Sequence, residues 1–309
     1  MRSSSASVFS VIRQSVMQFI DNDCMTMAAA LAYYTAFSLP PLLLLVATVA
    51  GFFWSPEEVS HQLEYQISNV MGKGGWMQIE LMMESARIHE RGGMAALIGG
   101  IVLLFGATGV MVQLQSSLNH IWGVQPDPET GGMKNFILKR LLSLAMIIAI
   151  AFLLLVSLIL TTVLNAFGNI FSEWFPADQT SWIPFAVSFI VNLTIFMLLF
   201  AAMFKWLPDA EMDWKDTWLG AATTAILFML GKFGLGVYLA TTENSQYGEA
   251  ASFVLILLWV YYSGMIFLLG AEFTQIWARK RGSGIEAAPG AVEVIEKTIP
   301  VRSTPSSVN

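Results

Sequence analysis

The sequence predicts an all-α membrane protein with six transmembrane helices, an outer helical cap and an amphipathic helix at the N-terminus. Hydrophobic residues make up 55% of the chain and charged residues only 12%, which is about half the charged share of a soluble domain. So few charges cannot cover the surface of a water-soluble fold of 309 residues. Several apolar runs also reach the roughly 20 residues that a helix needs to cross a bilayer.

The six predicted spans are residues 28–53, 93–115, 141–164, 182–206, 217–240 and 251–273. Membrane strands would alternate apolar and polar residues over about ten positions, whereas these runs are continuous, so helices are predicted.

The spans divide the chain into a cytoplasmic N-terminal arm, a transmembrane domain and a tail, at residues 1–24, 25–282 and 283–309. The loop at 54–92 is too long for a plain connector, and its apolar spacing predicts two short helices that cap the bundle. The tail is rich in Ala, Gly, Pro and Ser with scattered charge, a composition that predicts disorder.

Lysine and arginine predict the orientation. They occur in the N-terminal arm, the second and fourth loops and the tail, while the opposite side has only Lys73, Arg87 and Arg91. Cytoplasmic segments carry the excess of these residues, so both termini are predicted in the cytoplasm. In the arm, apolar residues at helical spacing predict an amphipathic helix, lying either on the membrane surface or against the bundle.

Several function classes are disfavoured by the sequence. A net charge of −6 without a basic patch makes nucleic acid a poor partner. The three histidines are scattered, Cys24 is the one cysteine, and neither a metal-hydrolase motif, a GxxxxGK[ST] loop nor a GxSxG elbow is present. We therefore predict no catalytic residues, no metal site and no cofactor.

Polar groups inside the spans are the candidates for function, because ionisable residues in hydrocarbon are costly and default to functional roles. Lys232 lies in the fifth span and is predicted to face the protein interior, partnered by Glu249, a tyrosine hydroxyl, a helix-end carbonyl or cavity water, where it could hold an anionic headgroup. Glu272 lies near the inner end of the sixth span, where it could instead reach water or Arg140. The candidate substrate-binding residues are Tyr33, Tyr34, Ser38, Pro40, Lys232, Glu249 and Glu272.

Two further patterns have both a functional and a packing interpretation. Pro40-Pro41 is predicted to kink or break the first span, and Tyr33, Tyr34 and Ser38 precede it within two turns. A break could line a substrate site, or it could be a static kink that shapes packing. Glycines in the second and fifth spans favour close helix packing over phosphate binding.

Three motifs resemble the YihY/virulence factor BrkB family of bacterial inner-membrane proteins. They are AALAYYT with SLP at residues 29–40, LNHIW at 118–122, and YG, LWVYY and LLGAE between residues 247 and 272. The resemblance covers roughly residues 10–280. This chain departs from the pattern at Pro40-Pro41, where a single proline is expected, and at Glu249, where a small residue is expected.

The resemblance implies a multi-pass membrane protein of uncertain function, with no accepted catalytic residues. The family was once labelled ribonuclease BN, a label now regarded as a misassignment, and transport of lipids or amphiphiles has been suggested. The function expected is therefore transport or handling of a lipid or amphiphile, with membrane lipids as partners. The alternatives are a non-transporting scaffold for an envelope complex, acting as a homo-oligomer or with envelope proteins, and a membrane nuclease.

Overall fold

The structure is a computed structural model that describes residues 8–50, 93–128, 182–241 and 248–294, with single positions within 55–84 and 141–148. Side chains are described over 8–38, 108–128 and most of 186–234 and 254–294. The helices that are described in full are α1 Val8–Asp21, α2 Cys24–Ala50, α3 Gly93–Trp122, α4 Trp182–Trp206, α5 Trp214–Thr241 and α6 Gly248–Arg281.

Five of these helices coincide with predicted spans. Helices α2 to α6 have between 25 and 34 residues, more than the roughly 20 that a bilayer requires. By composition, two helical stretches among the described residues are apolar enough to cross a membrane, Phe189–Trp206 and Leu257–Arg281. The predicted third span, 141–164, lies almost wholly outside the described residues, so the count of six stays a prediction.

Helix α6 is central, because it packs against α1, α2, α3 and α5. Its contact with α5 is made close by glycine. A Cβ atom on Gly270 would lie 2.0 Å from Oγ1 of Thr224, and one on Gly220 would lie 2.0 Å from Oγ1 of Thr274. The two pairs are reciprocal, because each helix contributes one glycine and the threonine four residues after it. Close packing by small residues is the expected device where both helices face lipid.

Four short strands among the described residues hold the loops together at one end of the molecule. They are β1 Val124–Pro126, β2 Ala210–Met212, β3 Ile285–Ala287 and β4 Ala291–Glu293. Strand β4 pairs antiparallel with β1, which follows α3, and β3 pairs antiparallel with β2, which joins α4 to α5. We call this end, with the corner between α1 and α2, the strand end.

The prediction that the tail is disordered from residue 283 is wrong as far as residue 294. Ser283 donates backbone and side-chain hydrogen bonds to Asp216 and Asp213 at the start of α5, and the amide of Val294 donates to the carbonyl of Gly123 at 2.8 Å. These bonds fix a segment whose composition resembles a disordered one. Residues 295–309 lie outside the described part.

The N-terminal arm forms the predicted helix, and α2 begins at Cys24, the last residue of the predicted arm. Val11, Ser15 and Phe19 of α1 are buried, and α1 packs on α6, so packing against the bundle is confirmed. A neighbouring arc, including Ile12 and Val16, stays exposed at about half of each side-chain surface. A helix with one apolar arc on protein and another exposed suits the membrane interface.

The interruption predicted at Pro40-Pro41 is not found as a break, because α2 runs from Cys24 to Ala50 as one helix. Each proline removes a single backbone donor, and the hydrogen bonds on either side can maintain the helix. In the loop at 54–92 the described positions are mostly helical. Ser55 and Glu58 exchange hydrogen bonds there as a helix cap, and the backbone amide of Ser55 holds the pKa of Glu58 below its usual range.

Candidate functional site

A cavity of about 540 Å³ opens at the strand end, among α1, the α1–α2 corner, α3, β1 and α6. That volume is within the range of small-molecule sites. The polar residues that line it are Gln18, Asn22, Gln115, Ser116, Asn119, His120, Gln125, Asp209, Gln275 and Arg279. A polar chamber beside apolar helices therefore provides the setting for a ligand with a polar head.

One wall of the cavity is held by a reciprocal pair between α3 and the loop that precedes β2. The side-chain amide of Asn119 donates to Oδ2 of Asp209 at 2.8 Å, and the backbone amide of Asp209 donates to Oδ1 of Asn119 at 2.8 Å. Gln115, one turn earlier on α3, donates to the other carboxylate oxygen at 3.3 Å. These bonds fix the position of the Asp209 carboxylate, which places a negative charge on this wall of the cavity.

The opposite wall comes from the last turns of α6. Gln275 is buried and donates to the carbonyl of Ile121, while Arg279 donates to the carbonyl of Trp122 at 3.2 Å. Both bonds satisfy carbonyls at the end of α3, which a helix leaves without partners in its own backbone. Arg279 and His120 remain exposed at this cavity, and both side chains could donate to an anionic ligand.

Beneath the cavity lies Glu272, one turn before Gln275. It is 0% exposed. Its Oε1 accepts a hydrogen bond of 2.6 Å from the side chain of Asn22 and lies 3.6 Å from the sulfur of Cys24. Asn22 is the corner residue that also lines the cavity. Glu272 therefore joins the α1–α2 corner to α6. Its suggested contact with Arg140 stays a prediction, because Arg140 lies outside the described residues.

The structure does not bring the predicted site residues together. Tyr33 and Tyr34 are exposed on α2 at 61% and 43%, and Ser38 is buried against Gly109 of α3. Ser38 lies 14 residues after Cys24 on the same helix, which is about 21 Å along its axis. Among the predicted residues whose side chains are described, Glu272 alone is near the cavity, through its contact with Asn22. The side chains of Pro40 and Glu249 lie outside the described residues.

The prediction that Lys232 faces the protein interior is wrong. Lys232 is exposed on α5, beside exposed Phe233. The preceding residue, Gly231, is the one that faces inward, because a Cβ there would meet Ile266 and Tyr262 of α6. Successive residues of an α-helix point about 100° apart, so inward Gly231 turns Lys232 away from α6.

Sequence reasoning missed Asn119, Asp209 and Gln275. Asn119 was part of the LNHIW motif that supported the resemblance, but it had no assigned role. Asp209 lies in a loop and Gln275 beyond the predicted span, where polar residues are unremarkable. The one clue in the sequence was that polar residues cluster where the spans end on the side rich in lysine and arginine.

The helices, their apolar compositions and the polar chamber at one end define a helical membrane protein. The family described as virulence factor BrkB matches residues 15–294, and the chain belongs to that family. The match ends one residue after β4, so β3 and β4 belong to the family region.

The similar proteins include several that are named as membrane proteins and one that is named as ribonuclease-like. The ribonuclease-like protein YfkH of Bacillus subtilis is 23% identical over 279 residues, covering 88% of this chain and 96% of that protein. A UPF0761 membrane protein of Saccharophagus degradans is 28% identical over 265 residues, covering 85% of this chain and 58% of the relative. A third, from Vibrio parahaemolyticus, is 28% identical over 255 residues, with coverages of 80% and 75%.

The chain spans about three-fifths of the length of the Saccharophagus relative and about half, 48%, of a Psychrobacter UPF0761 membrane protein. No solved structure matches.

Proposed function

We propose that the protein binds the polar head of a lipid or another amphiphile in the strand-end cavity and moves or handles that molecule in a bacterial inner membrane. The observation that supports this is the cavity itself, a polar chamber of about 540 Å³ at the ends of apolar helices. An amphiphile suits such a place, because its head can enter the polar chamber while its tail stays among apolar surfaces.

The charges at the cavity favour a head that contains an anionic group. Arg279 carries a permanent positive charge and a planar set of donors that suits phosphate or carboxylate. One of those donors is used by the carbonyl of Trp122, which orients the guanidinium. His120 adds a donor from α3, and the fixed carboxylate of Asp209 lies on another part of the wall. A head with both an anionic and a cationic group would meet both charges.

The test is lipid analysis of the purified full-length protein. A lipid class enriched over the surrounding membrane should co-purify with the wild type and with Lys280→Gln, a neighbouring exposed cation that does not line the cavity. Arg279→Gln should reduce that enrichment several-fold. A volume test supports the charge test: Val112→Trp fills the cavity, whereas Val187→Trp adds the same bulk to an exposed valine on α4 outside it.

Equal lipid profiles in all five proteins would contradict the proposal. An intact protein with no enriched lipid but a stoichiometric envelope protein would favour the scaffold. The nuclease alternative has the name of YfkH in its favour, yet the described residues contain no cluster of His, Cys, Asp and Glu that could hold a metal ion. Movement of a head-labelled lipid between the leaflets of proteoliposomes would then separate transport from binding.

A further inference from the structure

The buried carboxyl group of Glu272 has an unusual hydrogen-bond environment. Its Oε1 accepts from Asn22 and lies next to the thiol of Cys24. Its Oε2 is equally buried, and no donor among the described residues reaches it. An ionised carboxylate needs donors or a cation at both oxygens when it is removed from water. The surroundings of Oε2 are therefore those of a protonated, neutral carboxylic acid.

Gln275 presents a second buried acceptor without a donor, one turn further along α6. Its side-chain nitrogen donates to the carbonyl of Ile121, which fixes the amide orientation and leaves Oε1 as an acceptor. That oxygen is buried and receives no hydrogen bond from the described residues. Residues i and i+3 lie on the same face of a helix, so the side chains of Glu272 and Gln275, each with one unpartnered oxygen, share one face of α6.

We propose that Glu272 is a proton-binding site beneath the cavity, with the proton on Oε2 donated to Oε1 of Gln275. One proton then satisfies two buried acceptors that otherwise have no partner. The proton comes from water and returns to it, and no other bond changes. This inference does not depend on which ligand the cavity binds.

The charged and titratable groups around Glu272 are consistent with a neutral acid. Helix α1 contributes Asp21 and α2 contributes the Cys24 thiol, neither of which is a cation. On α6 itself, Arg279 follows seven residues later, about 10 Å along the axis, and it donates to Trp122. From α3, His120 is exposed at the cavity.

Helix α5 meets α6 in this region through Gly220 and Thr224, which do not titrate.

Loss of the proton would affect the corner between α1 and α2. Asn22, whose side chain is held by Glu272, precedes Asp23, a non-glycine residue with a φ of 50°. Such a left-handed conformation is strained and persists only where its surroundings impose it. An ionised Glu272 would accept the Asn22 hydrogen bond more strongly. Its Oε2 would, however, stay buried beside Oε1 of Gln275 without a donor, and that costs more than the stronger bond gains, so the carboxyl group would turn toward the cavity and release Asn22. Loading with a proton therefore closes the corner, and release loosens it.

Infrared spectroscopy of the full-length protein, without added ligand, tests the proton directly. The carbonyl stretch of a protonated carboxyl group, which shifts in D2O, should be present at neutral pH in the wild type. It should persist in Glu286→Gln, which changes an exposed glutamate on β3, and disappear in Glu272→Gln. Because glutamine supplies a donor in place of the acid proton, Glu272→Gln should fold. A band of equal intensity in Glu272→Gln and wild type would overturn the assignment.

Two further measurements test the partner and the consequence. Gln275→Leu removes the acceptor, so the Glu272 band should move to the higher frequency of a free acid, and an unmoved band would overturn the pairing. Raising the pH until the band disappears should speed amide exchange over residues 19–27 in the wild type beyond that in Glu272→Gln at the same pH. Equal exchange in the two proteins would overturn the coupling to the corner.

Discussion

Single residues decide how closely the central helices approach. Gly270 and Gly220 each face the side chain of a threonine on the neighbouring helix, and each threonine donates its hydroxyl to a carbonyl within its own helix. The hydroxyls are thereby satisfied without reaching across the interface. The threonine side chains occupy the space that a Cβ atom at either glycine would fill. The close contact between α5 and α6 therefore requires glycine at both positions.

Gly270→Ala should destabilise the protein. The new methyl group would lie 2.8 Å from Cβ of Thr224, and this overpacking costs about 1–3 kcal/mol, more than the gain of up to about 1 kcal/mol from alanine in a helix. Thermal unfolding in detergent should show a lower midpoint. Gly234→Ala is the matched control, because nothing lies within 4 Å of the added atom.

A rescue experiment separates the steric clash from other effects of alanine. Thr224→Gly combined with Gly270→Ala removes the side chain that the methyl group meets, so the double variant should recover stability relative to the sum of the single changes. A Gly270→Ala midpoint equal to that of Gly234→Ala would show that α5 and α6 are less closely packed than the structure has them.

Asn119→Asp should create a pH-dependent loss of stability. The substitution keeps the acceptor for the amide of Asp209 but replaces the donor to its carboxylate, and loss of such a bond to a charged group costs about 1.5–3 kcal/mol. Two adjoining carboxyl groups can share one proton. That proton raises the folded-state pKa of the pair, so stability is present at low pH and is lost as the pH rises through that pKa.

The measurement is the unfolding midpoint of Asn119→Asp and wild type between about pH 4 and pH 8, where unperturbed carboxyl groups complete their ionisation. The difference between the unfolding midpoints of the two proteins should widen as the pH rises. Asn119→Ala is the control. It has no second carboxyl group at that position, so the difference between its unfolding midpoint and that of the wild type should not depend on the ionisation of one. A constant gap for Asn119→Asp would exclude the paired arrangement.

At the scale of elements, the helices could be predicted from the sequence and the strands could not. Apolar runs of span length predict helices because the bilayer requires internally bonded backbone, and five such runs coincide with α2 to α6. Strands of three residues, such as β3 and β4, have too little length for a pattern. They form because β1, after α3, and β2, before α5, offer backbone hydrogen-bonding groups with which they pair. That pairing depends on the tertiary structure and not on the local sequence.

The candidate site was predicted only in part for the same reason. Glu272 attracted attention because it is an ionisable residue near a span, whereas Asn119 and Asp209 gain meaning only from their contact across 90 positions of the sequence. Lys232 was assigned the wrong face because its position in the span was known but its direction around the helix was not.

Truncation of the tail should have an effect that depends on where it is made. Ending the chain after Gly282 removes β3 and β4, and with them the pairings to β1 and β2. Each lost hydrogen bond is worth about 1 kcal/mol net, so the unfolding midpoint in detergent should fall clearly. Ending the chain after Val294 keeps every described contact and should leave the midpoint close to that of the wild type. Two equally stable truncations would argue against an ordered strand end.

At the scale of the whole molecule, the strand end connects four segments that the charge pattern had placed on one side. Strand β1 lies in the second predicted loop, β2 in the fourth and β3 and β4 in the tail, while α1 packs on α6. Their joining shows that these segments share one end of the molecule, as the lysine and arginine pattern predicted. The number of times that the chain crosses the membrane between them stays a prediction, because the predicted third span lies almost wholly outside the described residues.

The side of the membrane on which the strand end lies is the last prediction. Cytoplasmic segments carry the excess of lysine and arginine, and Arg279, Lys280 and Arg281 end α6 at the strand end. Single cysteines in place of Glu293 and Glu58, both exposed, are introduced into a Cys24→Ala background. An impermeant maleimide applied to intact spheroplasts should label position 58 and leave position 293 unlabelled until the membrane is permeabilised. Labelling of position 293 alone would invert the orientation, and labelling of both in intact spheroplasts would contradict the six-span arrangement.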